Sequence, residues 1–316
     1  MNERRLHRFD NPALAGVEFP IVEVQGAADG PTVCLLAGVH GCEYSSIQAV
    51  RSLVRELEPA ELSGRVLALA FVNPVSFLRR TPFVSPQDGK NPNRSFPGDP
   101  AGTFTEALAH HVFTELIEPS DYLIDLHGGD QVEALHPFVL FDESGVDDVT
   151  RRMAIAFGFE YLIQVPRAER IEGTTIAAAA DAGIPAIVAE AGGRGLLEQS
   201  AVDLLAGGAR SVLRELGVLA GDPPPPRQQV LARRFAWLYA PEAGWWRSEV
   251  GPGDEVAGGQ RIGAIEDLFG DEIEAIEAPE DGVVLFQTSV PAVDRGGILC
   301  GLGTRRQSLA FSRARG

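Results

Sequence analysis

The chain has little cysteine: three residues in 316, at positions 34, 42 and 300, odd in number and far apart. No disulfide framework follows from such a set, and a reducing cytosol is the natural compartment. Basic residues are also scarce, with 27 Lys and Arg against 44 Asp and Glu and a formal net charge of -17. Nucleic acid is therefore an unsuitable partner, because its phosphates are neutralised by Lys and Arg. The acidic excess favours solubility and says little about substrate, since a cationic pocket can sit in an acidic protein. Long apolar runs are missing too. The first eight residues carry charge with no apolar stretch behind them, so they are not a secretory signal. The most apolar tract, residues 176–191, is interrupted by Asp181 and Pro185 and is too short to span a bilayer. These absences lead us to expect a cytoplasmic protein acting on a small molecule, with neither nucleic acid nor membrane as partner; a homo-oligomer is left open.

What is present is an ordinary globular composition, 45% hydrophobic and 22% charged, long enough for one large domain and a small one. Short apolar runs alternate with amphipathic stretches over the first two-thirds. Residues 33–38, 65–72, 122–126 and 184–189 read as strands. Residues 43–57 read as a helix, with Ile47, Val50, Val54 and Leu57 at threes and fours. Further helices are expected at 105–117, 149–157 and 198–216. Such interleaving predicts an α/β fold with a mostly parallel or mixed sheet covered on both faces. Four prolines at 223–226 cannot continue a helix. They place a boundary between a domain at 1–222 and a smaller one at 227–316. In the second, short apolar runs broken by Gly-Asp, Gly-Gly and Asp-Gly turns predict antiparallel β structure. It resembles the flattened barrel of biotinyl and lipoyl domains, but no lysine follows Lys90, so no modified arm exists.

The most informative stretch is Gly38-Val39-His40-Gly41-Cys42-Glu43, directly after a buried strand. A His and a Glu three apart at a strand-to-helix junction supply half of a zinc site. His127, in Asp125-Leu126-His127-Gly128-Gly129, ends another strand and supplies the rest. Two imidazoles and one carboxylate leave a fourth tetrahedral position for water, the mark of a catalytic rather than a structural site. In open α/β sheets, ligands bind outside the carboxyl ends of the strands. His40, His127 and Glu190 all fall there. The chain reads as a metal-dependent hydrolase with one zinc ion.

Further segments carry a resemblance. They are Asn73-Pro74, Asp88-Gly-Lys-Asn-Pro-Asn93-Arg94-Ser-Phe-Pro-Gly98, Asp125-Leu-His127 and Ala189-Glu190-Ala-Gly-Gly193. Together with His40-Gly-Cys-Glu43 they make the chain similar to the succinylglutamate desuccinylase and aspartoacylase family, within the wider zinc carboxypeptidase group. It looks closest to the bacterial branch that includes diaminobutyrate deacetylases of ectoine breakdown. The resemblance implies a zinc carboxypeptidase-like fold with a trailing β domain. It implies zinc on His40, Glu43 and His127, and a substrate carboxylate gripped by Asn93 and Arg94, where a guanidinium fork suits bidentate binding. Glu190 matches the general base that takes a proton from the attacking water and later protonates the leaving amine. The family's carbonyl-polarising arginine falls at Pro82 here; Arg79 and Arg80 lie two or three residues earlier, and Arg80 is the better placed of the two to serve in its stead. The activity implied is hydrolysis of an N-acyl amino acid, or a related N-acyl amine, to a carboxylic acid and an amine.

Other residues compete less well. His110 and His111 are adjacent on a helix and point about 100° apart, so one metal can hardly use both. His136 before Pro137 reads as a loop histidine, and Cys42 as a small space-filling side chain rather than a nucleophile. Asp125 shares a strand face with His127 and either orients that imidazole or is simply a satisfied carboxylate. A metallocarboxypeptidase acting on peptides, or a noncatalytic binding protein on the same fold, would retain the same residues.

Overall fold

The computed structural model describes residues 2–225 and 228–309. Nine strands precede the proline run: β1 (Asn2–His7), β2 (Phe19–Gln25), β3 (Ala28–Ala37), β4 (Ser63–Leu69), β5 (Tyr122–His127), β6 (Glu133–Leu135), β7 (Phe138–Asp142), β8 (Tyr161–Val165) and β9 (Ala186–Glu190). Between them lie α1 (Tyr44–Glu56), α2 (Pro74–Arg79), α3 (Phe104–Val112), α4 (Asp147–Phe157) and α5 (Thr175–Asp181), with α6 (Gln199–Glu215) following. The expected helix at 105–117 divides: α3 gives way to a π-helical turn at Phe113–Ile117.

The strands join in the order β1-β2-β4-β3-β5-β9-β7-β8. Pairing is parallel for β4-β3-β5-β9 and for β7-β8, and antiparallel between β9 and β7. The sheet is therefore mixed. Its residues alternate between two cores, as the pleat requires. Val33, Leu35, Val66, Ala68, Ile124, Ile187 and Ala189 pack with Ile47 of α1, Met153 of α4 and Leu205 of α6. Cys34, Leu36, Leu67, Leu69, Leu123 and Val188 pack on the other face with Leu108 of α3 and Ile176 of α5. Burying each such large side chain contributes about 1.5–3 kcal/mol.

Among the described residues, eight strands follow the prolines: β10 (Gln229–Tyr239), β11 (Gly244–Ser248), β12 (Glu255–Val256), β13 (Arg261–Glu266), β14 (Glu272–Glu277), β15 (Gly282–Thr288), β16 (Ala292–Val293) and β17 (Ile298–Leu309). They pair antiparallel among themselves, and β14-β13-β11-β16 forms a separate small sheet. The long strand β10 also lies parallel to β8, so β10, β17, β15 and β12 extend the large sheet. The proline run between the two halves has its last residue, with Arg227, outside the described residues. A shared cluster of Phe138, Tyr161, Ile163, Ala232, Val283 and Leu285 crosses from one half to the other.

Candidate metal centre and cleft

His40 and Glu43 sit in the short turn between β3 and α1, and His127 is the last residue of β5. Gly41 is what lets this turn lie flat: a Cβ there would meet the Phe77 backbone nitrogen of α2 at 2.2 Å. The turn thus presses on α2 with no room for a side chain. His40 Nδ1 lies 2.7 Å from Glu43 Oε1, and His127 Nδ1 lies 3.1 Å from Glu43 Oε2. One donor atom from each of the three falls within 4.8 Å of the others.

The outward-facing ring nitrogens are also held. His40 Nε2 is 3.0 Å from Asn91 Oδ1, and His127 Nε2 is 3.0 Å from Asp125 Oδ2. Thr175 Oγ1 donates to the same Asp125 oxygen at 2.6 Å. Each imidazole consequently turns Nδ1 toward Glu43 and gives its Nε2 hydrogen to an oxygen. That fixed tautomer, with nitrogen and carboxylate donors facing one point, fits a divalent ion of zinc's type. Electrostatics agrees. Burial works against the Glu43 carboxylate, but His127 and His40 outweigh it and hold its pKa down at about 2. Burial likewise disfavours charge on His127, yet Asp125 and Glu43 raise its pKa well above the ordinary value.

Glu190 ends β9 and stands directly across the sheet from His127. Burial drives its pKa well above the usual carboxylate range against the pull of His127, and Glu43, Glu133 and Asp125 push it the same way. Asn93 and Arg94 occupy a 3-10 turn at Pro92–Arg94. The Asn93 Oδ1 accepts from the Thr175 backbone at 3.1 Å, which ties this turn to the start of α5. Gly173 adopts φ +78 against the Arg94 backbone, where a Cβ would come within 2.4 Å of its carbonyl carbon. Arg94 donates only to the Asn93 carbonyl and forms no ion pair among the described residues, so its positive charge is free for a ligand.

His40, Glu43, Asn91, Asn93, Arg94, His127 and Glu190 line one cleft of about 300 Å³. Its far wall is aromatic: Phe235, Trp237 and Tyr239 on one face of β10, and Phe286 on β15. Phe235 and Trp237 lie 4.5 Å apart and Trp237 and Phe286 5.1 Å apart, ring centre to ring centre.

Arg80 is not brought into the cleft. Helix α2 ends at Arg79, and Arg80 takes the left-handed cap position at φ 54, ψ 46, with its carbonyl accepting from Gln131. Its side chain is exposed, while Phe83 takes the nearby place in the cleft wall. Cys42 is buried, accepts from Gln131 at 3.3 Å and has its thiol pKa raised by burial, which removes it as a nucleophile. His111 bonds Glu115 at 2.8 Å, remote from the centre in sequence and pairing. His136 packs edge-on against Tyr161 and does not line the cleft.

A model of the succinylglutamate desuccinylase/aspartoacylase catalytic domain matches residues 29–216. The chain belongs to that family. The match holds every residue of the candidate metal centre, together with Asn93, Arg94 and Glu190. Among curated relatives, the family member is similar to an N-alpha-acetyl-L-2,4-diaminobutyric acid deacetylase of Halomonas elongata. The two are 29% identical over 298 residues, covering 91% of this chain and 86% of that one. Among solved structures, a family protein of Rhodobacter sphaeroides aligns with TM-score 0.82 and 28% identity over 95% of each chain. An ectoine utilization protein of Ruegeria pomeroyi aligns with TM-score 0.83 and 24% identity over 95% of this chain and 93% of that one, a likeness of fold. No helix among the described residues is long and apolar enough to cross a membrane.

Several cleft residues had no motif to announce them. Asn91 stands inside the Asp88–Gly98 segment, yet nothing in that segment singles it out as the acceptor for His40. Glu133 and Asp142 lie beyond His127 in stretches without pattern. Burial raises Glu133 to about 8, against the Asp130 backbone donor.

Proposed function

We propose that this chain is a zinc-dependent deacylase that hydrolyses the amide bond of an N-acyl amino acid. The observation that carries the reading is the register that sets Glu190 beside His127, in a cleft that also presents the unpaired Arg94. In this reading His40, Glu43 and His127 hold one zinc ion. Bound zinc would polarise a carbonyl oxygen and make a water molecule more acidic.

The chain's own residues do the rest. Arg94 and Asn93 engage the carboxylate of the amino-acid part and so fix which end of the substrate faces the metal centre. Glu190 accepts a proton from the attacking water as its oxygen bonds to the carbonyl carbon. A carboxyl with a raised affinity for that proton then passes it to the nitrogen as the C–N bond breaks. The products are a carboxylic acid and a free amine. The aromatic wall from β10 and β15 excludes bulk water and limits the size of what enters. Arg80, exposed at its helix cap, makes no contact with the amide in this arrangement. Division of the chain into a catalytic unit at 1–222 and a walling unit at 227–316 belongs to the same proposal.

The test is amine release from a panel of N-acyl amino acids varied in acyl group and side chain, with zinc-loaded and chelated protein. Metal-dependent turnover of one group supports the deacylase. Cleavage of unblocked dipeptides alone would replace it with a peptidase, and silence on both would favour a binding protein.

A further inference from the structure

The cleft continues beyond the metal centre. Phe138, Leu140 and Asp142 share one face of β7, and all three line it. Phe138 pairs with Glu190 and Leu140 with Val188. Asp142 therefore lies roughly 13 Å along the strand from the level of Glu190, at the usual strand rise. Between the two, the lining is apolar: Leu140 and Val188 from the sheet, Val165 at the end of β8 and Ile176 from α5. This is a slot with an acid at its end.

That acid has no hydrogen-bond partner among the described residues. Asp142 is 5% exposed, and its Oδ2 is buried without a hydrogen bond. The cation whose field reaches it, Arg170, is committed elsewhere. Its guanidinium donates to Glu172 at 2.9 and 3.1 Å and to Asp181 at 2.9 and 2.7 Å. Burial pushes the Asp142 carboxyl up to about 6; Arg170 opposes this, and Glu172 and Asp181 add to it. A buried carboxylate without a donor is costly and is normally paired or neutralised. Glu169 also lines the cleft, but it is exposed and 3.8 Å from Arg234.

We propose that Asp142 is a specificity residue that pairs with a cationic group at the tip of the substrate's amino-acid side chain. The proposal rests on the deacylase reading above. The slot belongs to the amino-acid half of the substrate because the carboxylate grip and the slot share one element. Asn93 is bonded to Thr175, while Thr174 and Ile176 line the cleft on either side of it. An apolar stem would lie on Leu140, Val188 and Ile176 and bring its charge to Asp142. Among natural cationic side chains, those of lysine and arginine reach furthest along such a slot, whereas the amine of a two-carbon side chain would stop well short of Asp142.

The experiment compares kcat/KM for N-acyl lysine, arginine, diaminobutyrate and norleucine, with zinc-loaded wild type and Asp142→Asn. Calorimetric binding of free L-lysine and L-norleucine to both proteins accompanies it. Norleucine has the stem without the charge, and asparagine keeps the shape of Asp142 without its charge. Wild type is expected to favour lysine or arginine over norleucine by at least about thirtyfold, the scale of losing one partner of a buried pair. In Asp142→Asn that ratio should collapse toward parity. Equal or better use of norleucine by wild type overturns the proposal, whether or not the variant folds, and so does a ratio that survives the substitution. If no N-acyl amino acid is turned over, the deacylase reading fails. Calorimetry then decides the subsite alone: tighter lysine than norleucine in wild type only supports it, and parity overturns it.

Discussion

Each imidazole of the candidate metal centre is fixed from behind, His127 by Asp125 and His40 by Asn91. Replacing Asp125 by Asn keeps the volume but removes the charge that favours the bound tautomer. Zinc affinity, measured by chelator competition, should fall about 10- to 100-fold, the usual cost of losing such support. Unchanged affinity would leave Asp125 a structural acceptor for Thr175 only. Glu190 works differently, since it lines the cleft without joining the ligand set. Glu190→Gln should retain zinc and lose at least about a hundredfold in kcat. A variant with full activity would remove Glu190 from proton transfer.

Elements place these side chains, and their boundaries explain what the sequence disclosed. His40, Glu43, His127 and Glu190 were readable because each stands at or just past the end of a short apolar run with glycine close by, a pattern that is local. The helices α1, α4 and α6 were readable for the same reason, within two residues at each end. Strand β7 was not, because Phe138-Val139-Leu140-Phe141 is apolar on both faces and shows no alternation. Its antiparallel place beside β9 depends on a distant chain crossing, which no local pattern encodes. Arg80 stands outside the cleft lining for a local reason: α2 ends one residue earlier, and Arg80 takes the left-handed cap position. The turn carrying His40 leans on the same helix through Gly41. Gly41→Val would drive a side chain into the α2 backbone, at a cost of about 1–3 kcal/mol or more. Thermal melting should show the loss together with weaker zinc binding. A variant as stable as wild type would mean that α2 moves aside freely.

Across the whole molecule, the buried ionisable groups of the cleft other than Glu43 push in one direction. Glu133 and Asp142 have pKa values raised to about 8 and about 6, and Glu190, His40 and His127 are raised as well. A group whose folded pKa exceeds its unfolded value binds more protons when folded, so its contribution to stability is lost as pH rises between the two. Glu43 is lowered, but its window lies between its ordinary value and about 2. From pH 5 to 8, then, chelated protein should lose stability steadily, seen as a falling Tm. Zinc, which takes the place of protons among the ligands, should flatten that slope. A chelated protein whose Tm is level or rises across this range would contradict the charge arrangement described above.

Strand β10 joins the large sheet beside β8, across a gap in sequence that contains α5, β9 and α6. On a ribosome, every residue of the candidate metal centre would emerge before the strand that closes its cleft. Meanwhile the outer edge of β8 would stand open, with Tyr161 and Ile163 uncovered and backbone groups ready to pair with any extended neighbour. The interval between making the residues of the candidate site and covering them is the one in which this strand edge is open to unwanted pairing, and slow translation through 166–228 would lengthen it.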